Sequence, residues 1–215
     1  MNIKLLIFDF DGTLADTQRT IVAAKQETMR RLGLTVADEA ACISTIGLSS
    51  KAGFNQTNPG LSDEELDKCV VLYRQLFDEM KVTMPPVLFK NVDKVLEACK
   101  ERHITCTIAS SRNAASLEDF IKGWGLTEHF PYMLGAEATK RLKPDPEPVL
   151  KTLEDLSFDA KEALVIGDMP VDIKMGKNAG VYTCGVTYGN STREALTEAG
   201  ADFVIDDIAE LLNIL

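Results

Sequence analysis

Leu5-Leu6-Ile7-Phe8-Asp9-Phe10-Asp11-Gly12-Thr13 is the stretch whose reading decides the fold. The apolar run begins at Ile3 and is cut by a carboxylate at Asp9, as in a strand covered on both faces of a parallel sheet. Similar runs recur at Ile104–Ala109, Ala163–Ile166, Val181–Val186 and Asp202–Ile205, with a shorter one near Tyr132–Leu134. Helical spacing fills the gaps: Val92, Val95, Leu96 and Cys99 within Asn91–Arg102, and Leu117, Phe120 and Ile121 after Arg112. Pro148–Leu156, Val171–Ala179 and Ile208–Leu212 complete the helical set. Strands alternating with helices predict an α/β fold, a twisted parallel sheet with helices on both faces.

One section breaks that rhythm. From Ala15 to Pro85 the patterns are helical and no strand is visible. Ser62-Asp63-Glu64-Glu65 reads as a capping box, in which each end of the motif satisfies an orphan amide of the other. The helix it opens lines up Leu66, Cys69, Val70, Tyr73, Leu76, Phe77 and Met80, a stripe that reads as core rather than as a ligand box. Pro85-Pro86 then ends the helix. The expectation is a small all-α domain over residues 15–85, inserted into an α/β core made of 1–14 and 86–215.

The 215 residues suit one α/β domain with such an insertion, and 45% hydrophobic with 26% charged residues is ordinary globular composition. With 23 basic against 33 acidic residues the net charge is −10. No Lys/Arg cluster offers a counterion-displacing stripe for nucleic acid, and the same deficit disfavours an anionic membrane. A small anionic substrate stays possible, because one metal ion and one lysine reverse the local field. The run at Leu5–Phe8 is too short for a signal-peptide core or a membrane span. The five cysteines (Cys42, Cys69, Cys99, Cys106, Cys184) never form CxxC and read as buried thiols in a reducing, cytoplasmic setting. A Cys nucleophile would need an activating partner, and the sequence offers only His103 and His129.

In an open parallel sheet, ligands bind beyond the carboxyl ends of the strands. Asp9-Phe10-Asp11-Gly12-Thr13 follows the first strand, and Ser110-Ser111-Arg112-Asn113 follows the second. Lys143-Pro144-Asp145-Pro146 comes after the next, and Gly167-Asp168 with Asp172 after a further one. Singly, Asp-Gly reads as a turn, Ser-Ser as a helix cap and Asp168 as another cap. Their convergence on one edge has no such account. Crowded carboxylates repel one another and lose hydration, and a hard divalent cation relieves both penalties. Oxygen ligands without His or thiolate favour Mg²⁺ over zinc. Lysine, hydroxyls and helix N-terminal amides would hold phosphate oxygens. Of Asp9 and Asp11, one can attack phosphorus while the other protonates the leaving oxygen.

These residues, in this order, resemble the haloacid dehalogenase superfamily, and within it the phosphoglycolate-phosphatase-like enzymes with a helical cap. DxDGT is Asp9–Thr13, the strand-closing hydroxyl is Ser110 after Thr107-Ile108-Ala109, the lysine is Lys143, and GDxxxD is Gly167-Asp168 with Asp172. The resemblance implies a Rossmann-like core and Mg²⁺-dependent hydrolysis of a small phosphorylated metabolite, phosphoglycolate-like or a sugar phosphate, through an aspartyl-phosphate. It casts Asp9 as nucleophile and Asp11 as general acid and then base. Ser110 and Ser111 would bind phosphate together with Thr13 and Lys143, and Lys143 would offset charge. Asp9, the Asp11 carbonyl and Asp168 would hold the metal, with Asp172 in support, and residues 15–85 would be a cap that closes over the substrate.

Other activities share this core, namely inorganic pyrophosphatase and phosphoglucomutase-like transfer. The mutase histidine is missing, since Ile21 stands at its place and 15–85 contains no His. Dehalogenases lack the second Asp of DxD, which is Asp11 here. A phospho-aspartate signalling or binding module uses similar groups, but with the acceptor on a middle strand and no insertion of this size. Two positions depart from the family pattern: Lys90-Asn91, where Pro-Gly is usual, and His103, where Gly often ends the helix. Both Asn and His tolerate left-handed backbone, so turns are expected at both. The Ser44–Ser50 loop around Gly47, with Arg112, is the expected source of substrate contacts.

Overall fold

The computed structural model describes residues 2–215. The first strand, β1 (Leu5–Phe8), lies in the middle of a six-stranded parallel sheet. Its neighbours are β4 (Thr105–Ala109), which pairs Leu5 with Thr105, and β6 (Ala163–Gly167), which pairs Leu5 with Ala163. β5 (Tyr132–Leu134) extends one side, while β7 (Tyr182–Val186) and β8 (Phe203–Ile205) extend the other, giving the order β5-β4-β1-β6-β7-β8. β1 has no polar residue because it has no exposed face. Leu6 and Phe8 pack on one side with Val95, Leu96, Leu117 and Ile121. Leu5 and Ile7 pack on the other with Val149, Leu153 and Met175. Each such side chain contributes about 1.5–3 kcal/mol relative to exposure.

The covering helices are α5 (Val92–Glu101), α6 (Ala114–Gly123), α7 (Glu147–Leu156), α8 (Pro170–Ala179) and α9 (Arg193–Glu198). With every strand parallel, Asp9, Ser110 and Asp168 emerge at the same edge. The expected helix at Ile208–Leu212 is instead a 3₁₀ turn over Ile208–Asn213, capped by the Asp207 carboxylate at the Ala209 amide. α9 escaped the sequence reading because Leu196 is its one buried residue, which leaves no apolar periodicity to find.

Between β1 and α5 the chain forms α1 (Gln18–Arg31), α2 (Glu39–Ile43), α3 (Ser50–Thr57) and α4 (Asp63–Thr83). The Ser62–Glu65 capping box is present at the start of α4. Along α4, Leu66 and Cys69 join Phe54, Met29 and Cys42 in a separate small core, while Leu76 and Phe77 pack into the main core with the sheet. The section is entered and left through two two-residue strands, β2 (Ala15–Asp16) and β3 (Val87–Leu88), paired antiparallel. Strands that short leave no alternation in the sequence, and no strand was expected there.

Asn91 and His103 adopt left-handed φ of 67° and 56°, as expected of both turns, and the Asn91 amide also holds Asp207 at 3.0 Å. The five cysteines are free and buried. Among the described residues, no helix is long and apolar enough to cross a membrane.

Candidate active site

Asp9 follows the last residue of β1, and its amide donates to the Ile166 carbonyl at 2.8 Å, which fixes the side chain at the sheet edge. The carboxylate is buried. Oδ1 accepts from Lys143 Nζ, while Oδ2 is buried without any hydrogen-bond partner. Lys143 reaches the site from the loop before α7. That loop is braced by Glu147, which accepts from the Lys140 and Arg141 amides, and by Asn178, which donates to the Pro144 carbonyl at 3.0 Å. Lys143 Nζ also lies 2.8 Å from Asp172 Oδ1.

Asp168 is not a helix cap. Its Oδ2 accepts from both the backbone and the side-chain amide of Asn190 at 2.7 Å, and its Oδ1 from Thr13 Oγ1 at 3.2 Å. Asp172, in the first turn of α8, caps the Met169 amide at 3.0 Å through Oδ2, leaving Oδ1 facing Lys143. One carboxylate oxygen from each of Asp9, Asp168 and Asp172 lies within 4.8 Å of the others. Two glycines make this crowding possible. A Cβ on Gly12, whose φ is +90°, would stand 2.6 Å from Asp168 Cγ, and one on Gly189 would stand 2.5 Å from Asp168 Oδ2.

Three buried carboxylates against one ammonium leave an excess of negative charge that protein groups do not balance. The physical consequence is visible in the acidities. Burial pushes the Asp168 carboxyl up to about 7, with Asp172 adding to the effect. Burial also drives Asp9 well above the usual carboxylate range, against the opposing pull of Lys143. The donor set is all oxygen, and Asp9 Oδ2 has a free lone-pair face, so these residues fit a hard divalent cation.

Ser110 and Ser111 are not helix caps either, because Asn113 holds that position for α6 through Ser116 N at 2.9 Å. The Ser110 hydroxyl accepts from the Arg112 amide at 3.1 Å, and Ser111 Oγ donates to the Gly47 carbonyl at 2.7 Å. The second contact joins the sheet edge to the loop between α2 and α3. Asp11 lies apart from the carboxylate cluster. Arg112 grips it through Nη2 at 2.6 Å and Nε at 3.2 Å, while the guanidinium stacks 4.4 Å from the Phe77 ring of α4. Thr13 and Ser110 are buried beside these groups.

A cleft of about 660 Å³, counting its solvent-open mouth, lies between the sheet edge and the helical section. Asp9, Asp11, Ser110 and Arg112 line its floor, and Lys25, Gly47, Tyr73 and Phe77 its roof. The geometry brings Asp9, Asp168, Asp172, Lys143, Thr13 and Ser110 together, and turns the Asp11 side chain toward Arg112 instead. Sequence reasoning missed Asn190, which sits in a loop after β7 with no motif around it, and Lys25, one helical lysine among many. For Asn190 the adjoining Gly189 was the available signal, since a glycine next to an amide after a strand marks close backbone approach.

The sequence profile of the haloacid dehalogenase-like hydrolases matches residues 6–186, and the chain belongs to that family. Phosphoglycolate phosphatase of Vibrio cholerae is 28% identical over 221 residues, covering 100% of this chain and 97% of its own. A Clostridium perfringens protein named as a pyrophosphatase is 31% identical over 218 residues, covering 99% and 97%. The crystal structure of a haloacid dehalogenase-like hydrolase from Bacteroides fragilis superposes with a TM-score of 0.88 at 28% identity, covering 97% of this chain and 99% of that one. Within the family the chain is phosphoglycolate-phosphatase-like, an enzyme of the phosphatase class.

Proposed function

We propose that the protein hydrolyses small phosphomonoesters by attack of the Asp9 carboxylate on phosphorus. The observation that carries this reading is Asp9 itself. It is a buried carboxylate at a strand end with one oxygen held by Lys143, the other unpartnered, and a cleft above it. The lysine holds the side chain in one orientation, so attack needs no reorganisation. Lys143 and the Ser110 hydroxyl face the incoming phosphoryl oxygens, and Lys143 stabilises the charge that gathers on them as the ester bond breaks. Asp11 donates its proton to the leaving oxygen, then takes one from the water that hydrolyses the aspartyl-phosphate. That role requires Asp11 to exchange its Arg112 contact for the substrate oxygen.

Mg²⁺ is the cation proposed for the acidic cluster. Asp9 and Asp168 would hold it with the Asp11 carbonyl, with Asp172 in support, and it would supply charge neutralisation for the bound phosphate. Residues 15–85 act as the cap: Ser111–Gly47 and the Phe77–Arg112 stack are the contacts that bring it down over the cleft and keep bulk water out.

The test is phosphate release from phosphoglycolate, sugar phosphates and pyrophosphate, with Mg²⁺ and with EDTA, beside the Asp9→Asn protein. Pyrophosphate is included because one relative carries that name. Metal-dependent release lost in Asp9→Asn is the expected result. Wild-type-like turnover by the variant would sink the mechanism.

A further inference from the structure

Among the cations lining the cleft, Arg112 is paired with Asp11 and Arg74 reaches Glu137 at 3.6 Å. Lys25 differs. It projects from α1, is 4% exposed, and donates to the neutral hydroxyl of Thr45. No carboxylate among the described residues forms an ion pair with it. An ammonium has three donors, and a tether to a threonine occupies one of them. The site is shaped around the head group: a Cβ on Gly53 would come within 3.1 Å of Nζ, so the glycine in α3 leaves it room. Thr45 is in turn fixed by donating to the Cys42 carbonyl at 2.7 Å, which holds the cradle still.

A buried, unpaired ammonium is unfavourable on its own and becomes favourable once an anion enters beside it. A tether for the α2–α3 loop would not need a charge, since a neutral donor would serve. The residues sharing the cleft with Lys25 are those of the proposed phosphate floor, Asp9, Asp11 and Ser110 among them. An anion lodged at Lys25 would therefore belong to the same small molecule whose phosphoryl group meets Asp9.

We propose that Lys25 is a specificity-determining residue that receives a second acidic oxygen group of the substrate, a carboxylate or a second phosphate. The inference rests on the phosphatase reading of the cleft and deepens it. Substrates would be short molecules with a phosphoryl group at one end and an anionic group at the other, and neutral esters of the same length would be poorer.

The experiment compares three esters on one two-carbon frame: phosphoglycolate, ethylene glycol bisphosphate and ethylene glycol monophosphate. Wild type, Lys25→Met and Lys25→Arg are measured with each. In wild type, kcat/KM for at least one doubly anionic ester exceeds that for the neutral-ended one, and whichever of carboxylate or phosphate gives the larger ratio identifies the group. Lys25→Met should lower that ratio at least tenfold, mostly through KM, and Lys25→Arg should restore part of it. An unchanged ratio in Lys25→Met, with all three esters falling together, would show a merely structural role and overturn the proposal. Should wild type release phosphate from none of the esters, the phosphatase reading fails separately. Calorimetric binding of phosphoglycolate to wild type and Lys25→Met then decides, because equal affinities overturn the role of Lys25 and a tenfold loss in the variant supports it.

Discussion

Replacing Lys25 by methionine should make the protein more stable, and by an amount the structure allows to be worked out. Burial holds the ammonium in a site where its pKa is pushed down from 10.5 to about 8. The folded state therefore prefers the neutral amine more than the unfolded chain does. At about 1.36 kcal/mol per pH unit, keeping Lys25 charged at pH 7 costs about 3 kcal/mol. The penalty is fully present below pH 8. Between pH 8 and 10.5 the unfolded chain binds more protons than the folded one, so wild-type stability rises with pH there and the penalty fades. Methionine has a similar unbranched length and no charge, and Thr45 keeps its bond to the Cys42 carbonyl. For a chain of 215 residues, 3 kcal/mol amounts to roughly 6–12 °C in Tm. Thermal melts of wild type and Lys25→Met in phosphate-free buffer should show a gap of that order at pH 7 that narrows by pH 10. A variant that melts lower than wild type at pH 7, or a gap independent of pH, would refute the reasoning. Lys25 would then be compensated by a partner that the geometry does not include.

Removing the charge that balances the carboxylates acts in the opposite direction. Lys143→Ala should lower turnover by about 10²–10³. It should also destabilise the metal-free protein by about 3–5 kcal/mol, because Asp9 and Asp172 lose their buried counter-charge; denaturant titration in EDTA reads this directly. Asn190→Ala removes the side-chain donor that orients Asp168, and the Mg²⁺ concentration needed for half-maximal activity should rise about 10–100-fold at little change in Tm. Gly12→Ala forces a side chain into a φ of +90° and against Asp168. Loss of more than about 2 kcal/mol of stability, seen by denaturant titration, is expected along with loss of activity.

Much of the fold was legible because the sheet is parallel and covered. Strands such as Leu5–Phe8 and Ala163–Gly167 have no exposed face, so they stand out as uninterrupted apolar runs. Where burial is partial the signal fades. β3 pairs over two residues and α9 buries only Leu196, and neither imposes a period on the sequence. The candidate site was legible for a related reason. Asp9, Ser110 and Asp168 each follow an apolar run, so their place at the sheet edge comes with the strand, whereas Lys143 arrives from the loop before α7 and was legible only through the motif around it. Asn190 and Lys25 are brought in by tertiary contacts, from a loop and from a helix whose lysine looks like any surface lysine until the roof of the cleft is built. The pairing of Asp11 with Arg112 belongs to the same class: both residues were visible, but their bidentate contact is made by the tertiary structure, where Phe77 of α4 lies against the same guanidinium.

The β2–β3 ladder has a consequence for how such a protein can change. Because Ala15 faces Leu88 and Asp16 faces Val87, the chain leaves the sheet domain and returns to it at nearly the same point. Whatever lies between those two crossings is attached like a bead clipped onto a closed ring. Its length imposes no strain on the strands that hold Asp9 and Asp168, although Leu76 and Phe77 of α4 pack into the same core as Leu6 and Phe8. On the reading proposed above, the floor that would carry the reaction and the roof that would select its substrate meet the chain at this one junction. If Lys25 selects the substrate as proposed, exchanging it would give the molecule a different diet without moving the strand ends that carry Asp9 and Asp168.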